Sequence, residues 1–181
     1  MSHSTPIKVY VLLVSMVAVL LAASGGWAVP MPFPGLWGVG VLALFGVVLS
    51  VSEIELRGGS GQGSTAFVVH LASVLLYGPL WGILPMALAE VVSQVIKKHD
   101  FVRTSFNTAQ WIVSSCVAGL VYYSLGGLAP LELLGSAETL TATAVLRYEA
   151  TFLATAIAYF GTNSLLVAAV LSLKSGQKFS E

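Results

Sequence analysis

Charge is scarce in this sequence. Only 9% of its 181 residues are charged, against roughly 25% in an average soluble domain, and the net charge is zero. Nucleic-acid binding needs a dense basic surface, so nucleic acid is excluded as a partner. The single cysteine, Cys116, excludes an intrachain disulfide. Metal-ligand spacings, a nucleophile elbow and paired catalytic carboxylates are also missing, which predicts that the protein is not an enzyme and holds no metal.

Apolar residues take the place of the missing charge. They make up 56% of the chain, and the mean hydropathy is +0.89. A soluble fold of this length has too little interior to bury so much apolar surface. The sequence therefore predicts one integral membrane domain over residues 1–181, an all-α polytopic membrane helix bundle. Its six predicted transmembrane helices cover about residues 9–29, 36–54, 65–77, 80–96, 104–125 and 143–173.

The third predicted span is short. A helix over residues 65–77 reaches about 20 Å, whereas the hydrocarbon core is roughly 30 Å thick. Gly78-Pro79 follows at once and interrupts the helix, because proline has no backbone N–H. Broken backbone is tolerated in a membrane only where protein surrounds it. The pattern predicts a Gly-Pro hairpin inside the bundle, preceded by a flexible loop at 58–64.

The basic residues fall on one side of the membrane that these spans imply. Arg147 lies outside, and the other seven are cytoplasmic: Lys8, Arg57, Lys97, Lys98, Arg103, Lys174 and Lys178. Cytoplasmic loops of membrane proteins carry such an excess of Lys and Arg. The asymmetry predicts that both termini are cytoplasmic.

Two pairs of polar residues interrupt the apolar helices near their cytoplasmic ends. Glu90 and Gln94 are four apart and share a helix face, as do Asn107 and Gln110 on the next helix. Polar groups in membrane helices are costly and mark functional sites by default. The spacing predicts a buried polar cluster of these four residues. The structural alternative is that they join helices by hydrogen bonds.

A polar stripe runs along the last predicted helix. Arg147, Thr151, Thr155 and Tyr159 lie on one side of it, descending from the outer mouth. As a ligand-binding wall, the stripe would use Arg147 to grip a carboxylate or phosphate. In the alternative interpretation the threonines bond within the helix, and Arg147 sits at the interface beside Glu132 or Glu138.

His70 is the one histidine inside a predicted span. A lone imidazole can ligate the metal of a tetrapyrrole or relay a proton. A packed, hydrogen-bonded core histidine is the structural alternative. No cofactor is predicted, although a bound lipid or pigment is compatible with the apolar surface.

Short motifs in the second half resemble a bacterial signalling module. They are Leu76-Tyr77-Gly78-Pro79-Leu80-Trp81-Gly82, Glu90, Phe106-Asn107-Thr108-Ala109-Gln110, Ala118-Gly119-Leu120-Val121-Tyr122 and Gly126-Gly127. This pattern, over residues 65–173, is similar to the N-terminal membrane domain that precedes HD-GYP or GGDEF output domains. A looser similarity runs to the S components of ECF vitamin transporters, which have six helices and a comparable hairpin. An output domain after Glu181 is missing, so we expect a stand-alone relative or a chain that works with other subunits.

These features favour a non-enzymatic membrane module of the bacterial cytoplasmic (inner) membrane. The first hypothesis is a sensor or receptor-like domain that binds a small ligand or a partner within the bilayer. The second is a structural accessory subunit of a larger membrane complex, in contact with lipids and other membrane subunits. The third is an S-component-like substrate-binding subunit of a transporter.

Overall fold

Six α-helices build nearly all of the described chain. The computed structural model describes residues 5–28, 35–52, 54–55, 62–63, 65–128 and 141–175. The helices are α1 (Thr5–Ala28), α2 (Gly35–Val51), α3 (Phe67–Trp81), α4 (Ile83–Ile96), α5 (Phe101–Ser124) and α6 (Ala142–Ser175). The all-α prediction is confirmed, and every helix begins and ends within four residues of its predicted bounds.

A minimal pair of strands connects α2 to α3. The strands β1 (Ile54–Glu55) and β2 (Gln62–Gly63) pair antiparallel. Part of the predicted flexible loop at 58–64 is therefore paired backbone, and the rest of that loop lies outside the described residues. Four charged residues used in the predictions also lie outside them: Arg57, Glu132, Glu138 and Lys178.

Fewer helices than predicted are suited to crossing a membrane alone. Within the described residues, α1 and α6 are long and apolar enough, and α3 with α4 forms a third span if the bent pair counts as one. Helix α2 has 17 residues and is short. Helix α5 has 24 residues, but Arg103, Asn107 and Gln110 make it too polar. The prediction of six independent spans is therefore corrected to two or three. The described chain has six helices, but only two of them, or three if the bent pair counts as one, are long and apolar enough to cross a membrane alone.

Helix α5 lies at the centre of the bundle. It packs against α1, α3, α4 and α6, whereas α2 packs mainly on α4. It begins at Asp100, whose carboxylate accepts the backbone N–H of Arg103 at 3.0 Å as an N-cap. It ends where Gly126 adopts a φ of 79°, a left-handed conformation that glycine tolerates. Caps of this kind fix the length of α5 between the two ends of the bundle.

The bundle buries many polar side chains and exposes many large apolar ones. Eleven buried residues within the described chain are polar or charged, and they come from five helices: Ser50, His70, Ser73, Glu90, Ser93, Gln94, Gln110, Ser114, Ser115, Thr151 and Thr155. Large apolar side chains face outward instead, with Trp37 at 88% and Val19 at 69% exposure. An outward apolar surface of this extent needs an apolar environment or a partner to cover it.

The predicted Gly-Pro hairpin is present, and α5 supplies a hydrogen-bond donor that the hairpin lacks. Gly78 interrupts α3 with φ 74° and ψ 171°, and α3 and α4 meet at 117°. Pro79 has no N–H to offer the carbonyl of Leu75 four residues earlier. The hydroxyl of Tyr123 donates to that carbonyl at 2.7 Å. Side chains of α5 thus replace a helix hydrogen bond that the hairpin loses.

Two glycines let the helices approach this hairpin closely. A Cβ on Gly119 of α5 would overlap the side chain of Val74, and one on Gly82 would lie 2.6 Å from the carbonyl oxygen of Ser73. Cβ atoms in real structures do not come so close. Gly119 therefore lets α5 approach the hairpin, and Gly82 lets the start of α4 lie close to the backbone of α3.

The start of α1 and the end of α6 lie at the same end of the bundle. The Tyr10 hydroxyl donates to the carbonyl of Leu166 at 3.1 Å. Ile7, Phe106 and Val170 belong to one apolar cluster there. Helices α1 and α5 consequently run parallel, and α6 runs antiparallel to both.

Replacing Tyr123 by Phe tests the hydrogen bond from its hydroxyl to the hairpin. Loss of the hydroxyl leaves the Leu75 carbonyl without this donor, so the free energy of unfolding should fall by about 1–3 kcal/mol. Equilibrium unfolding in detergent micelles measures the change. Tyr148→Phe on α6 is the matched control, because its ring keeps the contact with Arg147. Equal stability of the two variants would contradict the role of the hydroxyl.

The close approach of α5 to the hairpin is tested by two glycine substitutions. Gly119→Ala forces a methyl group against Val74 and should destabilise the fold by about 1–3 kcal/mol. Gly161→Ala, on α6, meets nothing within 4 Å and should be neutral or stabilising, because alanine is the better helix former. Thermal unfolding of both variants in one detergent gives the comparison. A Gly119→Ala protein as stable as Gly161→Ala would show that the packing is looser than described.

Candidate functional site

A cavity of about 380 Å³ lies where α2, α3, α4, α5 and α6 meet, and we call it the polar cavity. Its polar lining consists of Ser50, Glu90, Gln94, Asn107, Gln110 and Asn163. Its apolar lining consists of Phe67, Trp111, Phe160 and Val167. The volume falls in the lower part of the range of small-molecule sites, roughly 300–1,000 Å³.

The four residues of the predicted polar cluster all line this cavity. Glu90, Gln94 and Gln110 are buried, and Asn107 is half-buried. The pairs come together because α4 and α5 are neighbours and each pair occupies one face of its helix. Spacing along the sequence was enough to find this part of the site.

Glu90 and Gln94 form a hydrogen-bonded pair that continues to the α4–α5 connection. The Gln94 amide Nε2 donates to Glu90 Oε1 at 2.6 Å. The Gln94 Oε1 is also in contact with Nδ1 of His99, which follows α4. These contacts connect the cavity to His99 in the α4–α5 connection.

Asn163 and Ser50 belong to the site and were not predicted. Asn163 follows Tyr159 by four residues on α6, so it extends the series Thr151, Thr155, Tyr159 along the same face. That spacing is the signal that could have found it. Ser50 stands at the end of α2, and nothing in its sequence neighbourhood distinguishes it from other helix serines.

One wall of the cavity is aromatic. The rings of Phe67 and Phe160 meet edge to face with centroids 5.1 Å apart. Trp111 stacks on Tyr159 at 6.0 Å, and Tyr159 in turn contacts Phe160 at 5.3 Å. Four helix-borne rings therefore hold each other in fixed orientations. Tyr159, predicted as part of a ligand wall, lies in this group and is fully buried.

Three oxygen atoms of the lining have no hydrogen-bond partner within the described residues. They are Ser50 Oγ, Gln110 Oε1 and Asn163 Oδ1. Buried polar atoms are nearly always paired with protein or water, and an unpaired one costs about 1–3 kcal/mol. All three atoms belong to residues that line the polar cavity, although the atoms themselves are buried.

The other predicted site residues of α6 are arranged differently. Arg147 is exposed, and its Nη2 donates to the carbonyl of Gly126 at 3.2 Å, at the end of α5. Thr155 Oγ1 donates to the carbonyl of Thr151 at 2.7 Å, and both threonines are buried. Neither the polar cavity nor the groove described below includes Arg147, Thr151 or Thr155. The geometry favours helix capping and packing here, and an outer ligand pocket stays a prediction.

His70 is enclosed rather than open to a cofactor. Its side chain has 0% exposure, and Trp111 meets it edge-on at 5.0 Å. Both ring nitrogens lack a hydrogen-bond partner within the described residues. A tetrapyrrole could reach the imidazole only if the surrounding helices separated. Groups of three or more potential metal ligands are not found in the described part of the chain.

A second cavity, of about 620 Å³, is an apolar groove between α1, α4 and α5. Its lining includes Ala18, Ala22, Val91, Val95 and Ile112. Small residues on α1 leave room between the helices, and α4 contributes branched apolar side chains. The surface of the groove is mostly apolar, and a bound lipid or pigment stays only compatible with it.

The polar cavity offers hydrogen bonds and aromatic contacts from one hydroxyl, one carboxyl, four carboxamides and three rings. A few convergent polar groups in an otherwise apolar site can hold a small molecule in a defined orientation. Comparison with models of protein families, with curated proteins and with solved structures finds no match for this chain.

Proposed function

We propose that the chain is a non-enzymatic integral membrane module that binds a small organic ligand in the polar cavity, as a sensor or receptor-like domain. The polar cavity is the observation that carries the proposal. Five helices contribute to it, and three of its oxygen atoms have no partner among the described residues. Desolvated polar groups cost free energy unless they are satisfied, which favours a bound ligand over a purely structural cluster. The resemblance to the membrane domains of HD-GYP and GGDEF proteins points to sensing.

The proposed environment is the bacterial cytoplasmic membrane, with all six helices embedded as one bundle. The outward apolar surface supports this, because lipid would cover it. Polar helices such as α5 are accommodated in a membrane when other helices surround them. Five of the six described basic residues lie toward the end where α1 begins and α6 ends: Lys8, Lys97, Lys98, Arg103 and Lys174. By the positive-inside rule that end is cytoplasmic, so both termini are as well.

A second candidate function is that of an accessory subunit in a larger membrane complex. The apolar groove favours it, because a groove between α1 and α4 suits the side chains or lipids of a neighbouring protein. The groove and the polar cavity lie on different sides of α5, so one role does not exclude the other.

The proposed sidedness is tested by cysteine labelling. Native Cys116 is buried and gives little background. We expect a membrane-impermeant maleimide to label Thr143→Cys in intact cells and Lys98→Cys only after permeabilisation, since both positions are exposed but lie at opposite ends. Labelling of both variants from one face would contradict the embedded, six-helix arrangement.

Binding of a ligand is tested by native mass spectrometry of the gently solubilised protein. We expect a bound small molecule, and we expect Asn163→Leu to reduce its occupancy by about tenfold, since one polar contact is removed and the cavity is made apolar. Thr162→Val is the control: Thr162, the residue before Asn163, lines neither cavity, so this variant should keep the ligand.

The same spectra separate the competing functions. A monomer that carries a small molecule supports the sensor, and a fixed set of large partners supports the accessory subunit. Co-purification with an energising ATPase pair would favour the S-component-like transporter subunit. A protein that carries no small molecule before and after Asn163→Leu would contradict the binding proposal.

A further inference from the structure

The apolar groove between α1, α4 and α5 is open to the outside of the bundle. Its walls include the exposed side chains of Val19, Val95 and Phe101, and its floor includes the small buried residues Ala18 and Ala109. Exposed apolar surface of this kind is stable only when an apolar environment or a partner covers it. The shape of the groove therefore suits an occupant that is long, narrow and apolar.

The hydroxyl groups in the lining do not make the groove polar. Ser15 Oγ donates to the carbonyl of Val11 at 2.8 Å, and Thr104 Oγ1 donates to the carbonyl of Asp100 at 3.0 Å. Both bonds are made to backbone four residues earlier, so these donors are already used. An occupant of the groove is held mainly by apolar contact.

The groove has the depth of one membrane leaflet. Its lining runs along α5 from Phe101 to Ile112, which is about 16 Å at helical rise, and along α4 from Ile83 to Val95, which is about 18 Å. The hydrocarbon core is roughly 30 Å thick, so one leaflet contributes about 15 Å. An acyl chain that enters beside the start of α5 would be covered through its own leaflet.

Lys98 stands at the end of the groove next to the α4–α5 connection. It follows the groove residue Val95 by three positions, and its backbone N–H donates to the Val95 carbonyl at 3.0 Å. Its side chain is exposed, and its φ is 55°. Glycine is the usual residue at such a helix end, because it adopts a positive φ at lower cost. A lysine here places a positive charge at the end of the groove.

Lys8 adds a second positive charge at the same end. It is exposed and precedes the groove residue Ser15 by seven positions on α1, so the two residues share a helix face. Ile7, its neighbour, packs against Phe106 near the start of α5. The two lysines thus lie at the level where the groove ends.

We infer that the apolar groove binds one anionic phospholipid. An acyl chain lies between α1 and α4, and the phosphate lies beside Lys8 and Lys98. Basic residues at the inner membrane surface attract anionic headgroups, and each lysine is worth about fivefold in affinity. This inference concerns a site other than the polar cavity, and it rests on the membrane environment proposed above.

The test is native mass spectrometry of the full-length, delipidated protein in detergent with two added lipids. Dioleoyl-phosphatidylglycerol is anionic, and dioleoyl-phosphatidylcholine has the same acyl chains but no net charge. We expect the first phosphatidylglycerol to bind at least about tenfold more tightly than phosphatidylcholine, because two lysines contribute.

Removal of one charge tests the place of the headgroup. Lys98→Gly should weaken binding of phosphatidylglycerol by about fivefold and leave phosphatidylcholine unchanged. The backbone at this position suits glycine, so we expect the variant to fold. Arg103→Gln is the matched control, because Arg103 is an exposed cation at the same end of the bundle but lies about 200° around α5 from Phe101. It should change the affinity by less than about twofold.

Obstruction of the groove tests the place of the acyl chain. Val91 lines the groove and is 44% exposed, whereas Val92 does not line it and is 43% exposed. Val91→Trp puts a large ring into the groove and should reduce binding of phosphatidylglycerol by at least about fivefold. Val92→Trp adds the same ring outside the groove and should leave the lipid bound.

Two results would overturn the inference without touching the polar cavity. One is equal binding of the two lipids. The other is an equal effect of Lys98→Gly and Arg103→Gln, which would reduce the lipid contact to unspecific surface charge. A co-purifying protein that Val91→Trp releases, in place of a lipid, would assign the groove to a partner subunit. Asn163→Leu should leave lipid binding unchanged, and the cysteine labelling tests the membrane environment separately, so each proposal can fail on its own.

Discussion

The structure depends on one constraint: backbone groups freed by the broken α3 must find partners inside the bundle. Gly78 and Pro79 turn the chain, and the turn costs α3 the hydrogen bond that would end at Leu75. Tyr123 of α5 supplies a donor at 2.7 Å, and Gly119 of the same helix lets the hairpin approach closely enough for this contact. A central helix that performs this task must carry polar and small residues, so the composition of α5 follows from its position.

The candidate site arises from the same helix. One half of α5 contacts the hairpin, and the half nearer its start contributes Asn107, Gln110 and Trp111 to the polar cavity. Because α4 leaves the hairpin at 117°, its last two turns bring Glu90 and Gln94 against that part of α5. The hairpin angle therefore positions the acid of the cavity. The hairpin and the cavity are two consequences of one packing arrangement between α3, α4 and α5.

Much of the fold could be predicted from local patterns, and much of the site could not. Apolar runs and breakers such as Gly78-Pro79 and Asp100 determine where helices begin and end, which is why the bounds agree closely. The four-residue spacing of Glu90 and Gln94 predicted a shared face. Local spacing does not determine which faces of different helices meet. Ser50 and the aromatic wall were therefore missed. The number of spans was overestimated because every helix was counted as one span, although α2 is short, α3 and α4 are a bent pair, and α5 is polar. Two alternatives were open for Arg147, a ligand wall or an interfacial residue, and its guanidinium donates to the carbonyl of Gly126.

The polarity of α5 has a consequence for how such a bundle is made. Among the described helices, α1 and α6 are apolar enough to enter a bilayer alone, and α5 is not. During synthesis α5 emerges after α1 and the hairpin and before α6. In the membrane-embedded arrangement proposed above, its polar groups would meet lipid unless α1, α3 and α4 were already there to receive them. Insertion of the middle of the chain would then be cooperative: the earlier helices would form the surface onto which α5 partitions, and α6 would close the remaining side.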